Sequence, residues 1–211
     1  MKIPISKEGL KLIKIFLIFT ICSYILGTVS SLFYFLFFIL LIICLFLVYF
    51  FRDPERVINK DNNVILSPAD GKVIDIIETE QNKTIKIFMS PFNVHIQRAS
   101  ISGKISSIEY KPGKFLPAYM PGSDNINEQN ILIIKNTELN LEVIIKQIAG
   151  ILVRRIVCFV KPDDYVLQGQ RIGLIKFGSQ VDLIVPNNVV LEIETGQKVK
   201  GGTTIIGRFS S

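Results

Sequence analysis

Lys72-Val73-Ile74-Asp75-Ile76-Ile77-Glu78-Thr79-Glu80-Gln81-Asn82-Lys83-Thr84-Ile85-Lys86-Ile87-Phe88-Met89 decides the fold of the larger part of this chain. Two runs rich in Ile and Val, Lys72 to Glu78 and Thr84 to Met89, flank the turn signal Gln81-Asn82. Short β-branched runs between turn formers predict strands. Outward from this stretch the same pattern repeats in Gly103 to Tyr110, Asn130 to Lys135 and Leu141 to Ile148. Asp70-Gly71, Lys111-Pro112-Gly113, Pro121-Gly122, Pro162-Asp163 and Gly201-Gly202 mark further turns, which leaves strands of roughly five to eight residues. Helical periodicity is nearly absent, so the reading is a mainly β domain, an antiparallel sandwich or barrel. Val166 to Gly173 and Ile193 to Gly202 share a strand, a Gly-Gln pair and a basic turn. Turns of this kind occur in lipoyl and biotinyl carrier domains, so hairpin elements of that type are expected. A carrier would present Lys198 or Lys200 at a hairpin tip.

Upstream, Ile15 to Phe51 runs without a charged side chain. One straight helix of that length would extend about 55 Å, nearly twice the ~30 Å hydrocarbon core of a bilayer. Gly27, Thr28, Ser30 and Ser31 divide the run into a shorter arm, about 13–26, and a longer one, about 32–51. The expectation is a transmembrane helical hairpin whose first arm is short for a full crossing. A cleaved signal peptide fits poorly, because the apolar stretch is too long. Residues 1–56 therefore read as a membrane anchor with a basic linker, and residues 57–211 as the β domain.

Lys2, Lys7, Lys11 and Lys14 precede the apolar run and Arg52 and Arg56 follow it. Basic flanks stay on the cytoplasmic side, and two spans satisfy both at once, which places the β domain at the cytoplasmic face of the cell membrane. The formal charge of +6 over 211 residues favours an anionic leaflet. Nucleic acid is not the expected partner, since no Lys/Arg stripe with interleaved aromatics occurs. Cys22, Cys44 and Cys158 form no Cys-x-x-Cys pair, which argues against a disulfide framework and against a zinc site. No metal is expected.

Phe177-Gly178-Ser179-Gln180-Val181-Asp182 interrupts a strand-like run, with Gly173 to Lys176 before it and Leu183 to Pro186 after it. Taken alone, Gly178-Ser179 is a bulge or tight turn. His95 is the only histidine, and a lone histidine in a β domain is commonly a satisfied core or surface residue. Asp70 before Gly71 is commonly a turn former. Context changes these readings. Phe51-Arg52-Asp53-Pro54-Glu55-Arg56, Ser67-Pro68-Ala69-Asp70-Gly71-Lys72-Val73 and Phe88-Met89-Ser90-Pro91-Phe92-Asn93-Val94-His95-Ile96-Gln97-Arg98 come first. Tyr110-Lys111-Pro112-Gly113-Lys114-Phe115, Asn127-Glu128, Arg154-Arg155-Ile156 and Arg171 through Ser179 follow in order. With these motifs the chain resembles the phosphatidylserine decarboxylase family, in its short, membrane-anchored branch.

The resemblance implies self-cleavage between Gly178 and Ser179, giving a larger chain, 1–178, and a smaller one, 179–211, that remain together as a heterodimer or within a higher oligomer. It implies that Ser179 becomes a covalent pyruvoyl group, the only cofactor, whose carbonyl forms a Schiff base with the substrate amine. It also implies that His95 acts as the base of the cut, with Asp70 orienting it. His95 is further expected to protonate the carbanion left by decarboxylation. The substrate would be phosphatidylserine, or archaetidylserine if the tails are isoprenoid ethers. Arg154 or Arg155 could meet the lipid phosphate, though neighbouring strand residues face opposite ways and only one can do so. Asn127-Glu128-Gln129 and Gln180 depart from the family, where Arg is common after Asn-Glu and after the serine. The rival reading is a non-catalytic, membrane-tethered β carrier or adaptor in which Gly178-Ser179 is only a turn.

Overall fold

The computed structural model describes residues 4–58, 61, 63–116, 122, 126–150, 156–176 and 179–209. The chain divides into two compact units, Met1–Glu55 and Arg56–Ser211.

The first unit is a helical hairpin, α1 (Lys7–Leu26) and α2 (Ser31–Phe50). The first arm starts at Lys7, earlier than the apolar run suggests. Ser6 stands at its N-cap with Oγ accepting from Glu8 N at 3.4 Å, and the lysines of its first turns are good helix formers. Each arm has 20 residues, about 30 Å at 1.5 Å per residue. Both are long and apolar enough to cross a membrane. In the turn between them Gly27 leaves room for the Tyr34 ring, which a Cβ at that position would approach to 2.6 Å. Ser23 Oγ donates to the Phe33 carbonyl at 2.8 Å and Thr20 Oγ1 to the Phe16 carbonyl at 2.7 Å, so these hydroxyls are satisfied without water. Ser6 N to Phe51 O (2.8 Å) and Asp53 N to Pro4 O (2.7 Å) close the open end of the hairpin.

Among the described residues the second unit is mainly β: β1 (Val64–Leu66), β2 (Gly71–Glu78), β3 (Asn82–Met89), β4 (Ile96–Arg98), β5 (Gly103–Lys111), β6 (Gln129–Asn136), β7 (Leu141–Ala149), β8 (Ile156–Cys158), β9 (Tyr165–Val166), β10 (Arg171–Ile175), β11 (Ser179–Pro186), β12 (Val189–Leu191), β13 (Lys198–Val199) and β14 (Ile205–Phe209). Eight of them form one antiparallel sheet in the order β13-β2-β3-β11-β7-β6-β5-β9, and two three-stranded sheets, β1-β14-β12 and β4-β10-β8, complete the unit. Hairpin turns set the registers: Asn82 N donates to Thr79 Oγ1 (3.2 Å) between β2 and β3, and Leu139 N to Asn136 Oδ1 (3.0 Å) between β6 and β7. Irregularities at Val73/Asp75 and Ile105/Ser107 bend the outer strands, as bulges do.

Alternation along each strand points one set of side chains at the core. Val73, Ile85, Ile87, Ile105, Leu132, Ile134, Val143, Ile145, Val181 and Leu183 are fully buried there. Ile65, Ile206 and Phe209 from one small sheet and Ile172 and Ile175 from the other belong to the same cluster. Each such side chain contributes about 1.5–3 kcal/mol on leaving water. The two Gly-Gln turns also match in detail. Gly169 (φ +76°) and Gly196 (φ +94°) are left-handed, and Leu167 N and Glu194 N donate to Gln170 Oε1 and Gln197 Oε1 at 3.0 and 3.1 Å. Each turn joins strands of different sheets.

Candidate active site

Ser179 opens β11, and β11 begins there rather than after the polar residues Gln180 and Asp182. Those two lie on the opposite face of the strand from Ser179 and are themselves buried; Gln180 Nε2 donates to Asp182 Oδ1 at 2.7 Å, and Asp182 stands across from Lys86 and Lys146 on the flanking strands. The inward side carries Ser179, Val181 and Leu183, all fully buried. Ser179 is paired with Met89 at the end of β3 and with Ala149 at the end of β7, and its Oγ donates to Met89 Sδ at 3.4 Å. Phe177 and Gly178 lie outside the described residues, as do Arg154 and Arg155.

A tight turn carries the chain from Met89 to His95. Ser90 N and Ser90 Oγ both donate to Asn93 Oδ1 at 2.8 Å, and Asn93 N donates to the Ser90 carbonyl at 3.0 Å. This Asx arrangement fixes the loop without regular structure. His95 is fully buried, and its Nδ1 lies 2.9 Å from the Asn93 carbonyl. A carbonyl can only accept, so in that bond Nδ1 carries the proton and the neutral imidazole keeps its basic lone pair on Nε2. The His95 carbonyl accepts from Ile175 N (3.3 Å) and Gln97 Nε2 (2.9 Å).

Asp70 precedes β2, two strands from Ser179, so roughly 10 Å of sheet separates the two strand axes. Its carboxylate is held by Arg56 Nη2, 2.8 Å from Oδ2 and 3.1 Å from Oδ1, and by Gly201 N at 2.8 Å. Among the described residues the orienting bond to the imidazole therefore comes from the Asn93 carbonyl, while Asp70 is occupied by Arg56 and Gly201. Glycine is required next to Asp70: a Cβ at Gly71 would run into the Phe88 carbonyl and lie 2.7 Å from Ile87 Cγ2.

Arg56 reads in the sequence as a membrane flank, and its pairing with Asp70 has no local signal. Asn127 and Glu128 brace the other side of Ser179. Asn127 Nδ2 donates to the carbonyls of Ala149 (2.7 Å) and Leu116 (2.8 Å), and Ala149 N donates to the Glu128 carbonyl at 2.9 Å. Met89, Ala149, Gln129 and Asp70 thus stand at one end of the large sheet with Ser179 at its centre. Lys198, one of the two lysines a carrier could present, is a strand residue of β13 paired with Lys72.

The pattern that defines the family described as phosphatidylserine decarboxylase matches residues 43–207. A protein of Desulfotalea psychrophila named phosphatidylserine decarboxylase proenzyme is 41% identical over 216 residues, which cover 99% of this chain and 98% of that one. Proteins of the same name from Carboxydothermus hydrogenoformans and Chlorobium phaeobacteroides are 44% and 46% identical over 173 residues each, covering 78% and 79% of this chain and 80% and 81% of theirs. A non-catalytic carrier or adaptor is thereby set aside: the chain belongs to the phosphatidylserine decarboxylase family of enzymes.

Proposed function

We propose that the chain is a self-cutting precursor that becomes a pyruvoyl-dependent decarboxylase of phosphatidylserine, held at the cytoplasmic face of the cell membrane by its apolar hairpin. The observation that carries this reading is the position of Ser179, fully buried at the first residue of a strand paired on both sides. A new chain terminus created there stays in register with Met89 and Ala149, which suits a terminal pyruvoyl group that must be fixed without an upstream tether.

The cut starts with Ser179 Oγ attacking the Gly178 carbonyl carbon. The C–N bond breaks, Gly178 becomes an ester of the serine hydroxyl, and Ser179 keeps a free amine. Loss of the Ser179 Cα proton then expels the ester oxygen, which departs as part of the Gly178 carboxylate and leaves a dehydroalanine. Water replaces its nitrogen as ammonia. A hydroxyl is a weak nucleophile near neutral pH, and the His95 imidazole, with its proton on Nδ1, offers Nε2 as the base. The Asn93 carbonyl orients the imidazole, and Asp70, held in place by Arg56 and the Gly201 N–H, is assigned the negative charge that favours proton uptake by the base.

When formed, the pyruvoyl group supplies a carbonyl that draws electrons from an amine-bearing substrate as the carboxylate leaves. The chain's part is to exclude water around Ser179, hold the new terminus in the sheet, and return a proton through His95 Nε2. The serine head group is the part of the lipid this chemistry reads, and the names of the relatives favour phosphatidylserine over an ether-lipid analogue. The cut pieces form a heterodimer.

Intact mass under denaturing conditions tests the reading. The expected result is two chains, the smaller of 33 residues with a blocked, ketone-bearing terminus, and a single uncut chain for Ser179→Ala. Mature protein should release carbon dioxide from phosphatidylserine in vesicles, with archaetidylserine as the comparison. An active protein with an unbroken Gly178–Ser179 bond would overturn the proposal.

A further inference from the structure

A row of buried amides runs beneath Ser179, and the chemistry above leaves it unused. Asn130 Nδ2 donates to Gln147 Oε1 at 2.8 Å, and Gln147 Nε2 donates to Gln97 Oε1 at 2.9 Å. Gln97 Nε2 donates to the His95 carbonyl at 2.9 Å and to Met89 Sδ at 3.6 Å. The same sulfur accepts from Ser179 Oγ at 3.4 Å. Asn130 is 4% exposed, and the other five residues are fully buried.

The direction of the row has one source. The His95 carbonyl can only accept, so Gln97 must turn its NH2 toward it and its oxygen toward Gln147. Gln147 must then present its own NH2 and leave its oxygen to Asn130. The fold makes room for this row: a Cβ at Gly173 would lie 2.6 Å from Gln147 Nε2. Buried amides are costly unless satisfied, and satisfied networks fix one arrangement. The row ends on two atoms, one in the backbone of the base and one against the attacking hydroxyl.

We propose that Gln97 and Gln147 are positioning residues for the cut. They grip the His95 backbone, and with it the Nδ1 bond that leaves Nε2 basic. They also grip the Met89 sulfur, which draws the Ser179 hydroxyl hydrogen toward β3 and turns the oxygen lone pairs away from it. A thioether is a weak acceptor, so its part is orientation and not proton removal. This inference rests on the self-cutting reading of the site.

Gln147→Glu tests it with little change of shape. As a carboxylate, residue 147 still accepts from Asn130 but cannot donate to Gln97; protonated, it donates again. The full chain in detergent should cut at least tenfold more slowly than the parent at neutral pH, and the deficit should shrink in acid buffer as the carboxyl takes up its proton. Gln147→Leu, with thermal unfolding confirming that it folds, should stay slow at every pH. A second readout does not depend on cutting. His95 is the only histidine, so a histidine 15N label reports it alone. In the uncut Ser179→Ala chain the label should show a single Nδ1–H tautomer, and Gln147→Glu at neutral pH should show a mixture. Parental cutting rates with the single tautomer kept in both Gln147 variants overturn the proposal. A parent chain that never cuts would remove the self-cutting reading, and the histidine spectrum would then decide the positioning role by itself.

Discussion

Arg56→Ala, made in the uncut Ser179→Ala background, measures how firmly Asp70 is held. The two side chains are only 13% and 12% exposed, so the pair is far better shielded than a surface ion pair. Breaking a fully buried pair by removing one partner costs about 3–5 kcal/mol, and an exposed pair is worth about 0.2–1 kcal/mol. Here the orphaned carboxylate keeps one donor, the Gly201 N–H at 2.8 Å, which softens the loss. A cost of about 2 kcal/mol follows, or a fall of roughly 4–8 °C in Tm for a protein of this size. Asp70→Asn removes the charge but can still accept from Gly201. The double variant should show about 1–2 kcal/mol of coupling in urea unfolding. In the cuttable background Arg56→Ala should also slow maturation, because Asp70 loses the group that fixes its rotamer. Additivity within about 0.3 kcal/mol, together with an undiminished cutting rate, would refute both the clamp and its part in the reaction.

His95→Gln should lower the cutting rate by about 10²–10⁴, the usual contribution of a positioned base, as read from the ratio of uncut to cut chain by intact mass. Gly71→Ala should lose about 1–3 kcal/mol in thermal unfolding, since its Cβ meets the Phe88 carbonyl and Ile87 Cγ2; an unchanged Tm would contradict the close approach of β2 to β3. The Asp163 carboxyl is held below its ordinary value by the hydrogen bond and charge of Lys104, 2.7 Å away. A depressed folded value means that its stabilisation is complete above the unfolded value, near about pH 4, and is lost as pH falls through the folded one. Both partners are open to solvent, so Lys104→Ala should move the acid unfolding midpoint slightly and not at all in about 0.5 M salt; a shift that survives salt would contradict this.

The strands were legible where alternation and β-branching agree, as in Thr84 to Met89, which lies within β3. The start of α1 was not, because Lys7, Lys11 and Lys14 break the apolar pattern without breaking helical geometry. The opening of β11 was hidden by Gln180 and Asp182. Polar residues end an apolar run in sequence, yet here both are buried on the face opposite Ser179, with Asp182 between Lys86 and Lys146, partners that only the register reveals. The site divides the same way. Ser179, His95 and Asp70 each read alone as a turn or core residue, and only the order of the motifs around them, through the family resemblance, named them as candidates. The groups that orient them are largely backbone atoms, the Asn93 carbonyl and the Gly201 N–H, and a backbone atom leaves no mark in residue type. Arg56 read only as a membrane flank, because a basic residue just past an apolar run fits that place and its partner Asp70 lies 14 residues away.

The central place of β11 bears on why a self-cutting site would be built there. On the proposed reading the reaction destroys the covalent link that delivers Ser179 to its place, so the sheet must supply what the chain no longer can. A terminus at an edge strand would be held on one side and fray. Ser179 begins a strand paired along its length with β3 and also with β7, and the 33 residues from it onward supply β12, β13 and β14 as well. Those strands pair back to β1 and β2, so the small piece is threaded through two sheets rather than docked on a surface. On that reading, the arrangement that would keep the pieces together would also keep the new terminus in register with Met89 and Ala149. The burial that shields Ser179 from water would, on the proposed reading, equally shield a carbonyl formed from it, so that one placement would serve both reactions.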